Sequence, residues 1–484
     1  MASISVDNDV SNRNRKRQKL ECTKAEELHS SLSKAQLQGN VDLYRHISHF
    51  LPDARCVSTV QLLCKAFMEF KKDKLLEWKL DWAYGILQQK KMTPEKANDI
   101  RNGLLKSVHF SYKSLREEGG KAIAEALKMN ASLTKIDLGN NLLGDEGGRA
   151  IAEALKVNTS LTNIELPRND IGDEGAKAIG EALEVNPSLT NIELLDNRIG
   201  DGGGKAIAEA LKVNKTLNDI SLEQNNIGVE GAKAIFQAFQ MNTSLTKIWL
   251  SHNKIGEGAN AFAKPLKQNT SLKSIYLENN QICPEGARAI AEGLKVNRSL
   301  TFISLAYNKI GDEGAKAIAE ALKVNRSLNC IDLRSNENGD EGTKAIAEAL
   351  KVNASLAKID LSRNNIGDEG AKAIGEALKV NTSLKKLNLH ANDAIDDKGL
   401  VALVDGLKSN ASLRYIELSD IFLSDKNAKL LASLYEHKNE RNFKIGVEGS
   451  DDSFSDRFYY WIKYYQDKFY ANQHEDSSET TPGK

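Results

Sequence analysis

Twelve units of one spacing run from about Leu105 to about Leu434, and a fixed period leaves few folds open to a chain. Their opening leucines fall at positions 105, 133, 161, 189, 217, 245, 272, 300, 328, 356, 384 and 413. The step is 28 residues, except for one of 27 after Leu245 and one of 29 after Leu384. Eleven units are near-copies and the first has decayed. The clearest read LTNIELPRNDIG (Leu161 to Gly172) and LAKIDLSRNNIG (Leu356 to Gly367), each followed by a variant of GDEGAKAIAEALKVN. A unit this short cannot bury an apolar face alone, so neighbours must stack into one continuous core.

Within a unit, the residues between Leu161 and Asn169 alternate as a strand, with Ile164 and Leu166 pointing inward. The segment after it has helical spacing. In the copy at 311–325, Ala315, Ile318, Ala319 and Leu322 share one face, while Lys316, Glu320 and Lys323 lie on the other. Asp312 is the expected N-cap of that helix, Glu313 suits its N-terminus, and Asn325 is expected to exit in the left-handed conformation. Strand plus helix in each unit predicts an α/β horseshoe with a parallel inner sheet and outer helices. At ~4.8 Å per strand its inner arc is roughly 55 Å, the scale of a protein surface.

One slot carries Asn141, Asn169, Asn197, Asn225, Asn253, Asn280, Asn308, Asn336, Asn364 and Asn392, with Lys113 and Ile421 at the two ends. An amide both donates and accepts, so this column is expected to be an asparagine ladder along the buried turns. Period, strand pattern and ladder together resemble the leucine-rich repeat, whose signature is LxxIxLxxNxIG. The uniform LxxIxLxxNxIGDEGAKAIAEALK units are similar to the ribonuclease-inhibitor-like class, above all to the repeats of NOD-like receptors. That resemblance implies a protein-binding horseshoe. The nucleotide-binding module of those receptors is absent from this sequence. Ribonuclease inhibitors alternate two repeat lengths and place Cys in many ladder slots, unlike this chain. Ran GTPase-activating proteins share the repeat type, which makes a GTPase activator one implied role, but their functional residues find no counterpart here.

The sequence offers no enzyme motif: HExxH, GxSxG and CxxC are all missing. Gly202-Gly203-Gly204-Lys205 imitates a phosphate loop, yet it is the GDEGAKAI slot with glycines substituted, and Ala206 stands where Ser or Thr must meet a metal. The histidines, such as His252 and His390, have no partner pattern and read as surface groups. No cofactor and no metal is expected. The 66 basic and 66 acidic residues balance, so no net charge draws the chain to nucleic acid or membrane. MASISVDNDV lacks an apolar signal region, and Cys22, Cys56, Cys64, Cys283 and Cys330 have neither metal-ligand spacing nor an even framework. A reducing, cytoplasmic setting is therefore expected, and N-x-S/T strings such as Asn158-Thr-Ser and Asn381-Thr-Ser read as by-products of the helix exit.

Variation concentrates in the strand residues that face the open side of the sheet. The middle column reads Asp137, Glu165, Glu193, Ser221, Trp249, Tyr276, Ser304, Asp332, Asp360, Asn388 and Glu417, and adjacent columns add Lys247, His252, Phe302 and Tyr307. Aromatic residues thus gather in three consecutive units with carboxylates on either side. Such residues often carry interface energy, and the flanking acids favour a partner with basic segments. The bland reading is a set of single exposed aromatics on a tolerant sheet.

Outside the repeats, residues 1–38 are expected to be a disordered tail whose Arg13, Arg15, Lys16, Arg17 and Lys19 form either a nuclear localisation signal or a solvated basic arm. Residues 39–104 are expected to be helical. Within them Ile47, Leu51, Pro52, Leu63, Cys64, Lys65 and Phe67 resemble an F-box, with Val41-Asp42 in place of its opening Leu-Pro and Phe67 in place of the commoner Trp. That resemblance implies docking to a Skp-type adaptor of a cullin ubiquitin ligase; the alternative is a helical cap on the first repeat. The repeat domain spans 105–440. Residues 441–470 are expected to form a capping helix, with Phe454, Phe458, Trp461, Tyr465 and Phe469 on one stripe, before a disordered tail at 471–484.

Overall fold

A computed structural model describes residues 106–421, 429–432, 434 and 443–446. The basic run at Arg13–Lys19, the F-box-like residues and the aromatic stretch from Phe454 lie outside the described residues.

Among the described residues, thirteen three-residue strands pair in parallel in strict sequence order, from Ser107–His109 to Lys444–Gly446. Every pair keeps the same register, so Ile164 lies beside Ile192, and Trp249 beside Tyr276. The central residue of each repeat strand from Ile136 to Ile416 is buried, and the residues on either side face outward. A helical segment follows each repeat strand as far as Tyr415–Glu417, where the description becomes partial. In the helix Gly311–Val324 the predicted apolar face is fully buried, with Ala315, Ile318, Ala319 and Leu322 at 0 % exposure. Small residues let these helices close up: a Cβ on Gly406 would collide with the backbone carbonyl of Gly375. Strands ~4.8 Å apart opposite helices 8–10 Å apart force the stack to curve, which puts the sheet on the inner face, about 58 Å along. The sheet extends one strand past the expected domain end, since Lys444–Gly446 pairs with Tyr415–Glu417 where a helix was expected from 441.

Two asparagine ladders hold the turns. In the expected one, Asn169 Nδ2 donates to the Leu138 carbonyl of the preceding repeat and its backbone N–H donates to Asn197 Oδ1 of the next, each at 3.0 Å. The second ladder is the helix-exit asparagine, and here the expected conformation is corrected. Asn325 is extended (φ −71°, ψ 135°), not left-handed. Its Nδ2 donates to Leu294 and Asn297 carbonyls of the preceding repeat, while its Oδ1 accepts from Ser327 and Leu328 N–H. Extended backbone is what lets the side chain reach back across the repeat boundary. The N-x-S/T strings are therefore structural: the Ser side chain also reaches back, as Ser327 Oγ does to Asn297 O at 3.4 Å.

The expected cap is corrected as well. Asp312 makes no cap bond to its own helix. Its Oδ1 instead accepts the Gly339 and Gly342 N–H groups, at 2.7 and 2.9 Å, at the start of the next repeat's helix. Asp145, Asp173, Asp201, Asp340 and Asp368 do the same for their downstream neighbours. Each carboxylate thereby satisfies two orphan donors at a helix N-terminus. Glycines held this way are extended, from Gly339 at φ −94° to Gly367 at −104°. Where the preceding slot is Glu117, Val229 or Pro284, the glycine flips to the left-handed region: Gly144 (φ 62°), Gly256 (φ 47°) and Gly311 (φ 58°).

The middle repeats are irregular in other ways. The 27-residue repeat begins its helical segment as a 3-10 helix, Gly256–Phe262, before the short helix Ala263–Gln268. Phe236, Phe239 and Phe262 fill the core there, with Phe236 and Phe262 stacked at 4.3 Å. Gly202–Lys205 lie within the helix Asp201–Val213, whose packing leaves no phosphate loop.

Candidate aromatic and acidic face of the central repeats

Lys247–Trp249, Ser274–Tyr276 and Phe302–Ser304 are adjacent strands, so outward residues of all three share one sheet face. Trp249 and Tyr276 occupy the same column and stack with centroids 3.6 Å apart and planes 7° apart. Phe302 stands one column over, beside Ser274, and reaches Tyr276 diagonally at 4.8 Å and 40°. The three rings form one half-buried apolar strip across the face. Tyr307 does not join it. This residue sits on the turn after the strand, with a left-handed backbone (φ 53°), and its ring lies 5.1 Å from the Arg334 guanidinium.

Asp219, which the sequence reading did not single out, fixes one end of the strip. Its carboxylate accepts from Trp249 Nε1 at 3.1 Å and meets Lys247 Nζ at 3.2 Å. Lys247 also lies 5.4 Å from the Trp249 ring centroid, a cation–π distance. The signal was the register: Asp219 is the strand partner of Lys247. Glu278, similarly missed, accepts from Ser251 Oγ and Ser304 Oγ at 2.6 and 2.7 Å and braces the floor beside the rings. His252 occupies the same left-handed turn column as Tyr307 and bonds Asn279 at 2.9 Å.

The predicted carboxylates divide into two kinds. Asp360 is 9 % exposed and its oxygens are taken by Ser362 and Asn388, so it works inside the sheet. Glu193 and Asp332 face outward on either side of the rings. Burial, and then the charges of Glu165 and Asp137, push the Glu193 carboxyl above the usual range. Burial likewise raises Asp332, although it accepts the Arg334 N–H and meets the Arg334 guanidinium at 3.6 Å. Glu223 joins this group, raised by burial and by the neighbouring charge of Glu278.

Nine repeats match the family model of the leucine-rich repeat, at residues 130–152, 157–180, 185–208, 213–236, 268–291, 296–319, 324–347, 352–375 and 380–404. The repeats are leucine-rich repeats. The matched segments skip 237–267, the stretch of the leucine-rich-repeat array that holds Trp249 and the 3-10 helix. No curated protein matches the chain in sequence. Among solved structures, an internalin (inlF) from Listeria monocytogenes is similar over 76 % of this chain and 87 % of its own, at 19 % identity and a TM-score of 0.45. Actin-binding site 2 of leiomodin-1 is similar over 32 % and 89 %, at 22 % identity and a TM-score of 0.29. The yeast complex of Rad7 and Elc1 yields a match over 93 % and 96 %, at 13 % identity and a TM-score of 0.42. Among the described residues of the leucine-rich-repeat array, no helix is long and apolar enough to cross a membrane, and Cys283 and Cys330 are free thiols.

Proposed function

We propose that this chain is a non-enzymatic interaction scaffold that holds a protein partner on the inner sheet face of its leucine-rich repeats. The observation that carries this reading is the strip of Trp249, Tyr276 and Phe302 on an outward-facing surface, the first two stacked at 3.6 Å and the third tilted against Tyr276 at 4.8 Å. Aromatic anchors bury large area at small entropic cost, and an apolar strip rimmed by charge has the anatomy of an interface centre. Lys247, His252, Glu193 and Asp332 form the rim in this reading. The test is affinity purification of the tagged chain from its native cells, with Trp249→Ala and Tyr276→Ala beside the wild type. Loss of a co-purifying protein at unchanged thermal stability supports the reading. Full recovery with both variants overturns it and leaves the rings as sheet packing.

A second reading rests on the motif around Ile47, Leu51, Pro52, Leu63 and Phe67, which resembles an F-box without its opening Leu-Pro. In it the repeats select a substrate and this segment docks a Skp-type adaptor. The same purification decides: an adaptor and a cullin that vanish on deleting 43–70 support it, and their absence from the wild-type eluate sinks it.

A further inference from the structure

We infer that the partner segment received by this face has an apolar centre flanked by lysine or arginine side chains. The inference rests on the scaffold reading above and adds the chemistry of the occupant. Its first ground is position. Glu193 lies two strands before Trp249 and Asp332 one strand after Phe302, so carboxylates stand at about 10 and 5 Å beyond the two ends of the strip. Glu223 projects from the repeat between Glu193 and Trp249.

The second ground is the charge these groups already meet. Lys247, the cation nearest the rings, is bound to Asp219 and lies against Trp249. Glu193 and Glu223 form no salt bridge among the described residues, and each is half-buried beside other carboxylates, Glu165 for one and Glu278 for the other, whose effect outweighs that of Lys135 on Glu193 and of His252 on Glu223. Burial with like charges penalises the ionised form, and a cation supplied from outside removes that penalty on binding. An acidic segment would add to the repulsion at the Glu193 and Glu223 end, and at the other end it would compete with Asp332 for Arg334. A wholly apolar segment would bury Glu193 and Glu223 without an ion-pair partner.

The experiment selects random peptides displayed on phage against the full-length chain, with counter-selection on Trp249→Ala/Tyr276→Ala. Synthetic copies of the enriched peptides are then titrated against wild type and against Glu193→Gln/Glu223→Gln/Asp332→Asn, whose folding is checked by circular dichroism. The expected result is enriched sequences with Lys or Arg on both sides of an apolar core. The carboxylate variant should bind them about tenfold more weakly, and added salt should narrow that difference. Enrichment of acidic or uncharged sequences, or equal affinity for both proteins, overturns the inference while leaving the scaffold reading intact. Peptides that bind the double aromatic variant as well as wild type, or no enrichment at all, overturn both.

Discussion

The backbone N–H of Gly311 donates to the carbonyl of Asn336 in the next repeat, at 2.9 Å. Gly144 and Gly256 form the same bond, to Asn169 and Asn280. In each case the residue after that asparagine is also left-handed: Glu337, Asp170 and Gln281. Where an aspartate holds the glycine, the intervening peptide is turned over. Its N–H then donates back, as Arg198 does to Ile171 O at 2.8 Å. One carboxylate thus sets the glycine of the following repeat and, through it, a peptide orientation one repeat further on. Cys283 marks the rule's limit: no aspartate precedes it, yet it stays extended (φ −87°), because Pro284 bars its helical conformations and a side chain disfavours the left-handed one.

This relationship separates two glycines that look alike in the sequence. Gly311→Ala places a Cβ in open space but on a left-handed backbone, and should cost about 1 kcal/mol. Asp173→Ala should cost a similar amount, about 1 kcal/mol, by removing the carboxylate acceptor of the Gly200 and Gly203 N–H groups. Urea denaturation of the two variants against wild type gives both values, and a neutral result for Gly311→Ala would refute the strain argument.

Asn338 occupies the slot that holds Ile310 and Ile366 in the repeats on either side. It is fully buried, and among the described residues neither its Oδ1 nor its Nδ2 has a partner. Asn338→Ile should therefore stabilise the chain by about 2 kcal/mol, read as a higher urea midpoint at constant slope.

Removing a helix-exit asparagine should do the opposite. Asn325→Ala breaks four bonds, two of them into the preceding repeat, and leaves buried carbonyls and N–H groups behind, a loss of about 3 kcal/mol. Thermal melting and amide hydrogen exchange at Ser327 and Leu328 should register it together.

Glu193 and Glu223 give a pH signature. Their folded carboxyls are raised, so the folded state holds these protons more tightly than the unfolded chain does. Their contribution is most favourable below the unfolded value of 4.5 and is lost as pH rises through the folded values. Glu193→Gln and Glu223→Gln should therefore melt higher than wild type at neutral pH, with the gap closing as pH falls through 4.5. A gap that widens on acidification contradicts the assigned direction.

The repeat, its strand, its helix face and the ladder from Asn141 to Asn392 were all legible, because each is a periodic column in which the same residue type meets its own copy in the next repeat. What escaped were the contacts that join different columns of neighbouring repeats. Asp312 carries the same sequence signal whether it caps its own helix or the next one, and only the stacking geometry chooses. Asn325 was misjudged for the same reason: its bonds lead backward into the preceding repeat. The left-handed turn holding His252 and Tyr307 has no glycine to announce it, so four aromatics seemed to converge where three do. Lys444–Gly446 escaped because its Lys-Ile-Gly lacks the leucine and asparagine frame around it.

The aspartate that reaches forward also limits how such an array can be rebuilt. A repeat cut out with Val229 or Pro284 and grafted elsewhere would impose a left-handed glycine on whatever followed it, and a turned peptide on the unit after that. Recombination that swaps single units at the leucine boundary therefore creates mismatches its own sequence does not contain. The smallest piece that can be moved without altering its context is a run of three.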